Sequence, residues 1–174
     1  VTKGLSFPYT GNTINVSKDK ITVTDIVSTA GKTRQTFYRH FQDKYDLVNW
    51  YFEKLVLKSF EEMNQGGSLQ EALNLKFAFI EQEHAFFKEA FKSNDYNNLI
   101  HYDFCCIYDF YKNYIYKNTG KTLSSDIDFL LNMYCRGSVD MTVEWVLNDM
   151  PIKKEEIVSY LIEAIPDKLK EYMK

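Results

Sequence analysis

A group of polar and basic side chains between residues 33 and 44 has the composition needed to bind nucleic acid. Arginine can make paired hydrogen bonds with guanine and glutamine with adenine, and Arg34 and Gln35 are adjacent. Tyr38, His40 and Lys44 carry groups suited to phosphate oxygens. The chemistry available to this segment is therefore binding of double-stranded DNA, with no covalent step. The predicted DNA-contacting residues are Thr33, Arg34, Gln35, Thr36, Tyr38, Arg39, His40 and Lys44.

Two short helices would hold these side chains. Thr22 and the acidic residue three positions later resemble a capping box, which predicts a helix over residues 22–30. Gly31 breaks that helix, and Thr33 is a favourable N-cap for a second helix from Arg34 to His40, with Phe37 and Phe41 facing inward. Two short helices joined by a tight glycine turn are typical of a helix-turn-helix, whose second helix enters the major groove.

The rest of the chain shows the apolar spacing of longer helices. Asp43 is expected to cap a helix whose apolar positions are Leu47, Trp50, Tyr51, Leu55 and Phe60. Residues 1–20 contain Gly4, Pro8 and Gly11 and are predicted to be irregular or weakly helical. A further helix is predicted to start at Ser68 and to bend near His84, and another is predicted over residues 96–118. The next helix is predicted from Ser124 or Ser125 to about Met150. The last is predicted over residues 153–165, where Pro166 ends or kinks it.

Composition supports an all-α fold. Hydrophobic residues make up 45% of the 174, and only three prolines and seven glycines interrupt the chain.

No apolar run reaches the roughly 18 to 20 residues that span a bilayer, and the start lacks a basic-then-apolar signal pattern, so a cytoplasmic protein is expected. Residues 1–54 carry eight Lys/Arg against five Asp/Glu, whereas residues 55–174 carry thirteen against nineteen. A mildly basic N-terminal part followed by an acidic remainder is typical of a DNA-binding protein that has a separate second domain.

The sequence offers little for catalysis. Cys105, Cys106 and Cys135 have no cysteine or histidine at zinc-site spacing, which indicates reduced thiols and no metal. We find no nucleophile elbow, no phosphate-binding glycine loop and no HExxH motif among the 174 residues. We therefore expect no enzyme activity, no catalytic residues and no cofactor.

The segment from Ile21 to Leu47 resembles the DNA-binding head of the TetR family of regulators. The shared features are Ala30-Gly31 in the turn, the run from Thr36 to Phe41 (TFYRHF), the pair Asp43-Lys44 that opens the next helix, and Leu47. The resemblance implies a head at residues 1–46 and a helical ligand-binding and dimerisation body at residues 47–174. The stretch RQTFY (residues 34–38) and the stretch Trp50-Tyr51-Phe52-Glu53 also resemble sequences of one branch of the family. That branch contains the activator of dihydroxyacetone kinase operons, which works with a partner protein.

The family further implies a homodimer on a palindromic operator. The interface would be formed by the last two long helices, about 125–149 and 153–165, where Gly137-Ser138 would permit close approach. The family also implies a cavity in the body for a small inducer, or else control by a protein partner. The aromatic-rich stretch 77–116 could line that cavity or simply form core. The candidate pocket residues are Phe77, His84, His101, Tyr102 and Tyr108.

Two departures from the family pattern keep an alternative open. Lys32 stands where the family usually has an apolar residue, and residues 1–20 hold a proline and two glycines where the first helix of the head belongs. The alternative is a TetR-like protein-interaction module or co-regulator with weakened or lost DNA binding.

Overall fold

The computed structural model describes residues 21–92 and 99–173, and every regular element in these two ranges is an α-helix. The predicted all-α fold with an N-terminal helix-turn-helix is confirmed. The predictions for residues 1–20 and for the start of the helix over 96–118 lie outside the described residues. The helices are α1 (Val23–Thr29), α2 (Arg34–Tyr38), α3 (Lys44–Asn64), α4 (Leu69–Gln82), α5 (His84–Phe91), α6 (Leu99–Thr119), α7 (Ser125–Leu147), α8 (Lys154–Glu163) and α9 (Asp167–Lys170).

The two short helices predicted between residues 22 and 40 are both present. Thr22 caps α1 in a complete capping box with Asp25, and Thr33 caps α2. Gly31 between the two helices has a φ of 61°, which is the left-handed conformation that closes a helix. Helix α2 ends at Tyr38, two residues earlier than predicted, because the backbone tightens there and the N–H of His40 bonds to the carbonyl three residues before it.

Helix α3 serves two hydrophobic cores. Leu47 packs in the head, whereas Val48, Phe52 and Val56 are buried in the body. The predicted apolar stripe was therefore partly wrong, since Tyr51 and Leu55 are only half-buried. The reason is that α3 leaves the head and enters the body, so that its buried direction rotates along its length.

The body packs helices α4 to α9 with most of α3 around the larger core. Helix α4 lies against α3 and α8, and α6 lies between α3 and α7. Ser68 caps α4 in a second capping box with Glu71, and the predicted bend near His84 is a break at Glu83 that separates α4 from α5. Helix α3 therefore connects the head to this core, because it contributes buried residues to both.

The connection from α7 to α8 has an unusual backbone. Asp149 and Met150 have φ values of 60° and 56°, a conformation that is uncommon for residues with a side chain. The N–H of Met150 bonds to the carbonyl of Trp145, and the indole of Trp145 donates to the carbonyl of Ile152 at 2.9 Å. These bonds end α7 at Leu147, three residues before the predicted limit.

The C-terminal part is shorter and more divided than predicted. Helix α8 covers Lys154–Glu163, and Pro166 separates it from α9. Beyond Pro166, Leu169 and Met173 are buried in the larger core. Within residues 21–92 and 99–173, no helix is both long enough and apolar enough to cross a membrane.

Candidate nucleic-acid interface

The predicted DNA-contacting residues lie at the N-cap of α2, on α2, just after α2 and at the start of α3. Six of the eight have exposed side chains, and the remaining two, Thr36 and Lys44, are half-buried. The segment 32–44 carries four basic residues and one acidic residue. This surface has the sign of charge and the hydrogen-bonding groups that DNA requires. The six exposed residues are Thr33, Arg34, Gln35, Tyr38, Arg39 and His40.

The opposite face of α2 is held by aromatic packing. Phe37 is only 4% exposed and lies 5.4 Å from Phe41, measured between ring centroids. Phe41 in turn meets Trp50 of α3 at 5.6 Å, edge to face. With Ile26 and Val27 of α1, these rings fix α2 against both neighbouring helices. The polar face of α2 therefore lies opposite a packed aromatic face.

The two threonines of the predicted set have structural bonds. The Oγ1 atom of Thr33 accepts a hydrogen bond from the backbone N–H of Thr36 at 3.2 Å, and the two hydroxyls lie 3.0 Å apart. The first of these bonds gives a hydrogen-bond acceptor to a backbone N–H group that has no partner within the first turn of α2. Arg34 and Gln35 project from the first turn of α2, and the Arg34 guanidinium lies 6.0 Å from the centroid of the Tyr38 ring.

The start of α3 is organised by two carboxylates. Asp43 accepts hydrogen bonds from the N–H groups of Tyr45 and Asp46, at 2.8 and 2.9 Å. Asp46 reaches back to the N–H of Gln42 at 2.9 Å. Lys44 is the first residue of α3, and its Nζ atom lies 5.0 Å from the centroid of the Tyr45 ring. A lysine at a helix N-terminus is well placed to meet a phosphate.

Three of the candidate pocket residues lie in separate places. Phe77 is buried, packs on Trp145 at 5.3 Å and lines a small internal cavity. The Nε2 atom of His84 lies 3.3 Å from the carbonyl oxygen of Val146. His84 is the first residue of α5, whereas the cavity is lined by residues of α4, before the break at Glu83. His101 is exposed near the start of α6.

The other two candidates bond to neighbouring helices. The Tyr102 hydroxyl donates to Glu53 on α3 at 2.9 Å, and the Tyr108 hydroxyl donates to Asp128 on α7. The bond to Asp128 and partial burial raise the pKa of Tyr108 to about 12. Of the five candidates, the structure brings only Phe77 to the wall of the internal cavity.

A buried ion pair was missed by the sequence reasoning. Lys76 is 5% exposed and Asp103 is fully buried, and the Lys76 Nζ atom lies 3.0 Å from one carboxylate oxygen and 3.2 Å from the other. Burial raises the pKa of the Asp103 carboxyl, while Lys76 opposes that rise. One signal was available: Lys76 lies three residues after Leu73 and four before Ile80, on the apolar stripe of α4.

The cysteines are uncharged thiols. Burial raises the pKa of all three, and that of Cys106 and Cys135 reaches about 12. In the described parts of the chain, no group of three or more His, Cys, Asp or Glu residues is arranged to hold a metal ion.

Part of the exposed surface of α7 is an apolar strip. Phe129, Met133 and Met141 are each more than half exposed, and Gly137 occupies the position between the two methionines in the same four-residue progression. A Cβ atom built on Gly137 would have no atom within 4 Å, so this part of the face is open. Tyr160 on α8 is likewise half exposed. A soluble protein that leaves such a strip exposed commonly buries it against a partner.

Two family models match the chain. The model of bacterial regulatory proteins of the tetR family matches residues 19–50, and the TetR model described as transcriptional regulator C-terminal region matches residues 67–167. The second match covers more than half of the chain. The chain belongs to the TetR family of transcriptional regulators.

Two individual proteins to which the chain is similar both carry the name DhaS. The HTH-type dhaKLM operon transcriptional activator DhaS of Lactococcus lactis subsp. lactis (strain IL1403) is 31% identical over 72 residues, which is 41% of this chain and 38% of that protein. The matched part thus spans well under half of the relative. A solved structure of a dihydroxyacetone kinase operon activator DhaS covers 91% of this chain and 90% of its own, with 21% identity and a TM-score of 0.61. This second similarity supports the fold.

Proposed function

We propose that this TetR-family regulator binds a palindromic operator in double-stranded DNA as a homodimer. Helix α2 enters the major groove, where Arg34 and Gln35 contact base edges. Tyr38, His40 and Lys44 bind phosphates on either side. The protein acts in the cytoplasm by reversible binding, without a cofactor and without a catalytic step.

The observation that carries this proposal is the division of α2 into two faces. Phe37 is buried, and the neighbouring Phe41 packs against Trp50, whereas Arg34, Gln35 and the remaining polar residues are exposed. A solvated surface helix could show the same polarity. The aromatic packing behind α2 and the net positive charge over residues 32–44 favour a DNA-binding element.

The exposed strip on α7 supports the homodimer. Phe129, Met133 and Met141 recur at multiples of four residues and would form a self-complementary contact across a two-fold axis. Gly137 at the centre of the strip allows the two copies of α7 to approach closely. A dimer places two copies of α2 on successive major grooves, about 34 Å apart or a multiple of that distance.

The body is proposed to receive the signal, from a small ligand or a protein partner. A signal that favours one spacing of the two heads changes the fit to the operator. By similarity to the relative named as a dhaKLM operon transcriptional activator, we propose that the output is activation of an operon. A reporter gene placed behind the retained DNA fragment would rise in activity when the protein is expressed, and a fall would indicate repression.

The first experiment is selection of DNA by the purified full-length protein. Genomic fragments are incubated with the protein at two salt concentrations, and the retained fragments are sequenced. We expect enrichment of a short palindrome and weaker retention at the higher salt, because phosphate contacts release counterions. The double variant Arg34→Ala/Gln35→Ala should lose the enrichment.

A matched control removes charge elsewhere. Lys117 and Lys121 are exposed at the far end of α6, and Lys117→Ala/Lys121→Ala should leave the palindrome enriched. Dimerisation is measured separately by analytical ultracentrifugation, where Met133→Glu/Met141→Glu should yield monomers. If the wild-type protein is folded and dimeric but enriches no sequence, the interaction-module alternative replaces the DNA-binding proposal.

A further inference from the structure

The turn between α1 and α2 is closed by two backbone hydrogen bonds. The N–H of Gly31 donates to the carbonyl of Ser28 at 3.2 Å, and the N–H of Lys32 donates to the carbonyl of Val27 at 2.8 Å. Because Gly31 also has a positive φ, these bonds form a Schellman motif at the end of α1. Lys32 is the second residue after Ala30, which is the C-cap of α1.

An apolar side chain at the position of Lys32 would strengthen this turn. In a Schellman motif, the second residue after the C-cap frequently packs against the last turns of the helix, where Ile26 and Val27 lie here. Both of these residues are buried in the head core, whereas the side chain of Lys32 is exposed. Lysine therefore stands in place of an apolar contact, and the stability of the turn does not explain its presence.

The ammonium group of Lys32 is not used within the described part of the protein. Over residues 21–92 and 99–173, no carboxylate forms an ion pair with it. Asp25 is the acidic residue nearest to it along the chain, and its carboxylate accepts hydrogen bonds from the N–H and the hydroxyl of Thr22 at 2.8 and 2.6 Å. The charge of Lys32 is therefore available to a binding partner.

The position of Lys32 indicates what that partner is. Lys32 directly precedes Thr33, the N-cap of α2, and it is one of the four basic residues in the segment 32–44. When the first turn of a recognition helix meets base edges, the residues just before that turn lie near the sugar–phosphate backbone at the edge of the groove. A lysine there can reach a phosphate with its flexible side chain and binds it as a point charge, without preference for a base.

We infer that Lys32 binds a DNA phosphate beside α2, and that the chain holds a charge in this turn in place of a stabilising apolar contact. The inference rests on the proposed function, since it adds a contact to the DNA-binding surface. Lys32 then raises the affinity for every duplex, whereas Arg34 and Gln35 determine which sequence is preferred. The departure from the family pattern at Lys32 accordingly favours DNA binding.

The inference is tested by the salt dependence of DNA binding. The full-length protein is titrated with two duplexes of about 30 base pairs, one carrying the palindrome from the DNA selection and one of random sequence. Each phosphate contact contributes about 0.9 to the slope of log Kd against log salt concentration, so the two copies of Lys32 in a dimer contribute about 1.8. Lys32→Gln should reduce the slope by about 1.8 on both duplexes. The ratio of its Kd to that of the wild type should therefore shrink about tenfold between about 50 and 200 mM salt.

Two controls isolate the charge at this position. Lys32→Arg keeps the positive charge and should keep the wild-type slope. Lys121 also has an exposed side chain and also follows a glycine of positive φ, Gly120, but it lies beyond the C-terminal end of α6. Lys121→Gln should leave both the Kd and the slope unchanged. A wild-type slope in Lys32→Gln, or an equal reduction in Lys121→Gln, overturns the inference.

A measurement without DNA tests the missing apolar contact. Lys32→Val supplies an apolar side chain to the Schellman motif, so hydrogen exchange of the α1 amides should slow, while the salt slope of DNA binding falls as in Lys32→Gln. Lys121→Val should leave the exchange of α1 unchanged. Faster exchange of α1 in Lys32→Val would show that Lys32 itself stabilises the turn, and the reason for assigning its charge to DNA would be lost.

The random duplex separates this inference from the proposed function. Phosphate contacts act on every sequence, so Lys32→Gln should lower the slope on the random duplex even if the selection enriches no palindrome. That result would support the phosphate contact and reject the operator. Enrichment of a palindrome together with an unchanged slope in Lys32→Gln would support the operator and reject the phosphate contact. If the wild type bound neither duplex, both would be rejected.

Discussion

Phe41, just beyond α2, and Trp50, on α3, meet edge to face with their ring centroids 5.6 Å apart and their planes at 67°. This contact joins the segment that follows α2 to α3, the helix that enters the body. Among the described residues, the buried side chains of this head core are Ile26, Val27, Phe37, Phe41 and Leu47. Phe41 is the member of this group that contacts Trp50 directly.

Phe41→Ala should unfold the head while leaving the body intact. Truncation of a buried phenylalanine costs about 3 to 5 kcal/mol, and Phe41 belongs to a hydrophobic cluster separate from that of the body. Hydrogen exchange should accelerate in α1 and α2 but not in α7. Tyr116 is 56% exposed on α6, and the control Tyr116→Ala should change stability by less than about 0.5 kcal/mol. Uniform acceleration over the whole chain would show that head and body unfold together.

The elements that could be predicted from the sequence are those fixed by local signals. Thr22, Thr33, Asp43 and Ser68 each begin a helix where the capping pattern predicts it, because a cap depends on residues three or four positions away. Gly31 closes the first turn for the same local reason.

What could not be predicted depends on contacts between distant residues. The partner of Lys76 lies 27 positions away on α6, and no local pattern pairs the two residues. The pocket candidates were chosen for aromatic or imidazole character, yet Tyr102 and Tyr108 bond to carboxylates on other helices. For the predicted DNA-contacting residues, the structure adds that the hydroxyl groups of Thr33 and Thr36 lie within hydrogen-bonding distance of each other.

Gly31→Val should destabilise the turn between α1 and α2. The φ of 61° at this position costs a residue with a Cβ about 1 to 2 kcal/mol, although no atom lies within 4 Å of a Cβ built there. The penalty is therefore conformational and not steric contact with a neighbour. Asparagine tolerates the left-handed region, so Gly31→Asn should keep most of the stability. Urea unfolding of the two variants gives the comparison, and equal losses would argue against a backbone origin.

The capping box at the start of α4 should make stability fall in acid. The backbone N–H and hydroxyl of Ser68 donate to the Glu71 carboxylate at 2.7 and 2.8 Å, and these bonds hold the pKa of Glu71 below its ordinary 4.5. A carboxyl whose pKa is lower in the folded state stabilises the fold above the unfolded pKa. That contribution is lost as the pH falls through about 4.5 and into the folded pKa.

Glu71→Gln provides the measurement of this pH dependence. Glutamine can occupy the same place in a capping box but does not titrate, so the stability advantage of the wild type over this variant should shrink between about pH 5 and pH 3. Urea unfolding at the two pH values gives that difference. Ser68→Ala, which removes the side-chain donor, should reduce the same pH dependence. An advantage that stays constant across the two pH values would mean that the Glu71 charge does not contribute.

Removing one member of the buried pair should cost more than removing both. Lys76→Met leaves the Asp103 carboxylate buried without its cation and should destabilise the protein by about 3 to 5 kcal/mol. Lys76→Met/Asp103→Leu removes both charges and should recover most of that loss, because the site then packs as ordinary core. Lys154→Met, at the partly exposed pair with Glu81, should cost no more than about 1 kcal/mol. Urea unfolding of the four proteins, wild type included, completes the comparison. If the double variant were as unstable as Lys76→Met, the pair would be a structural requirement of the body.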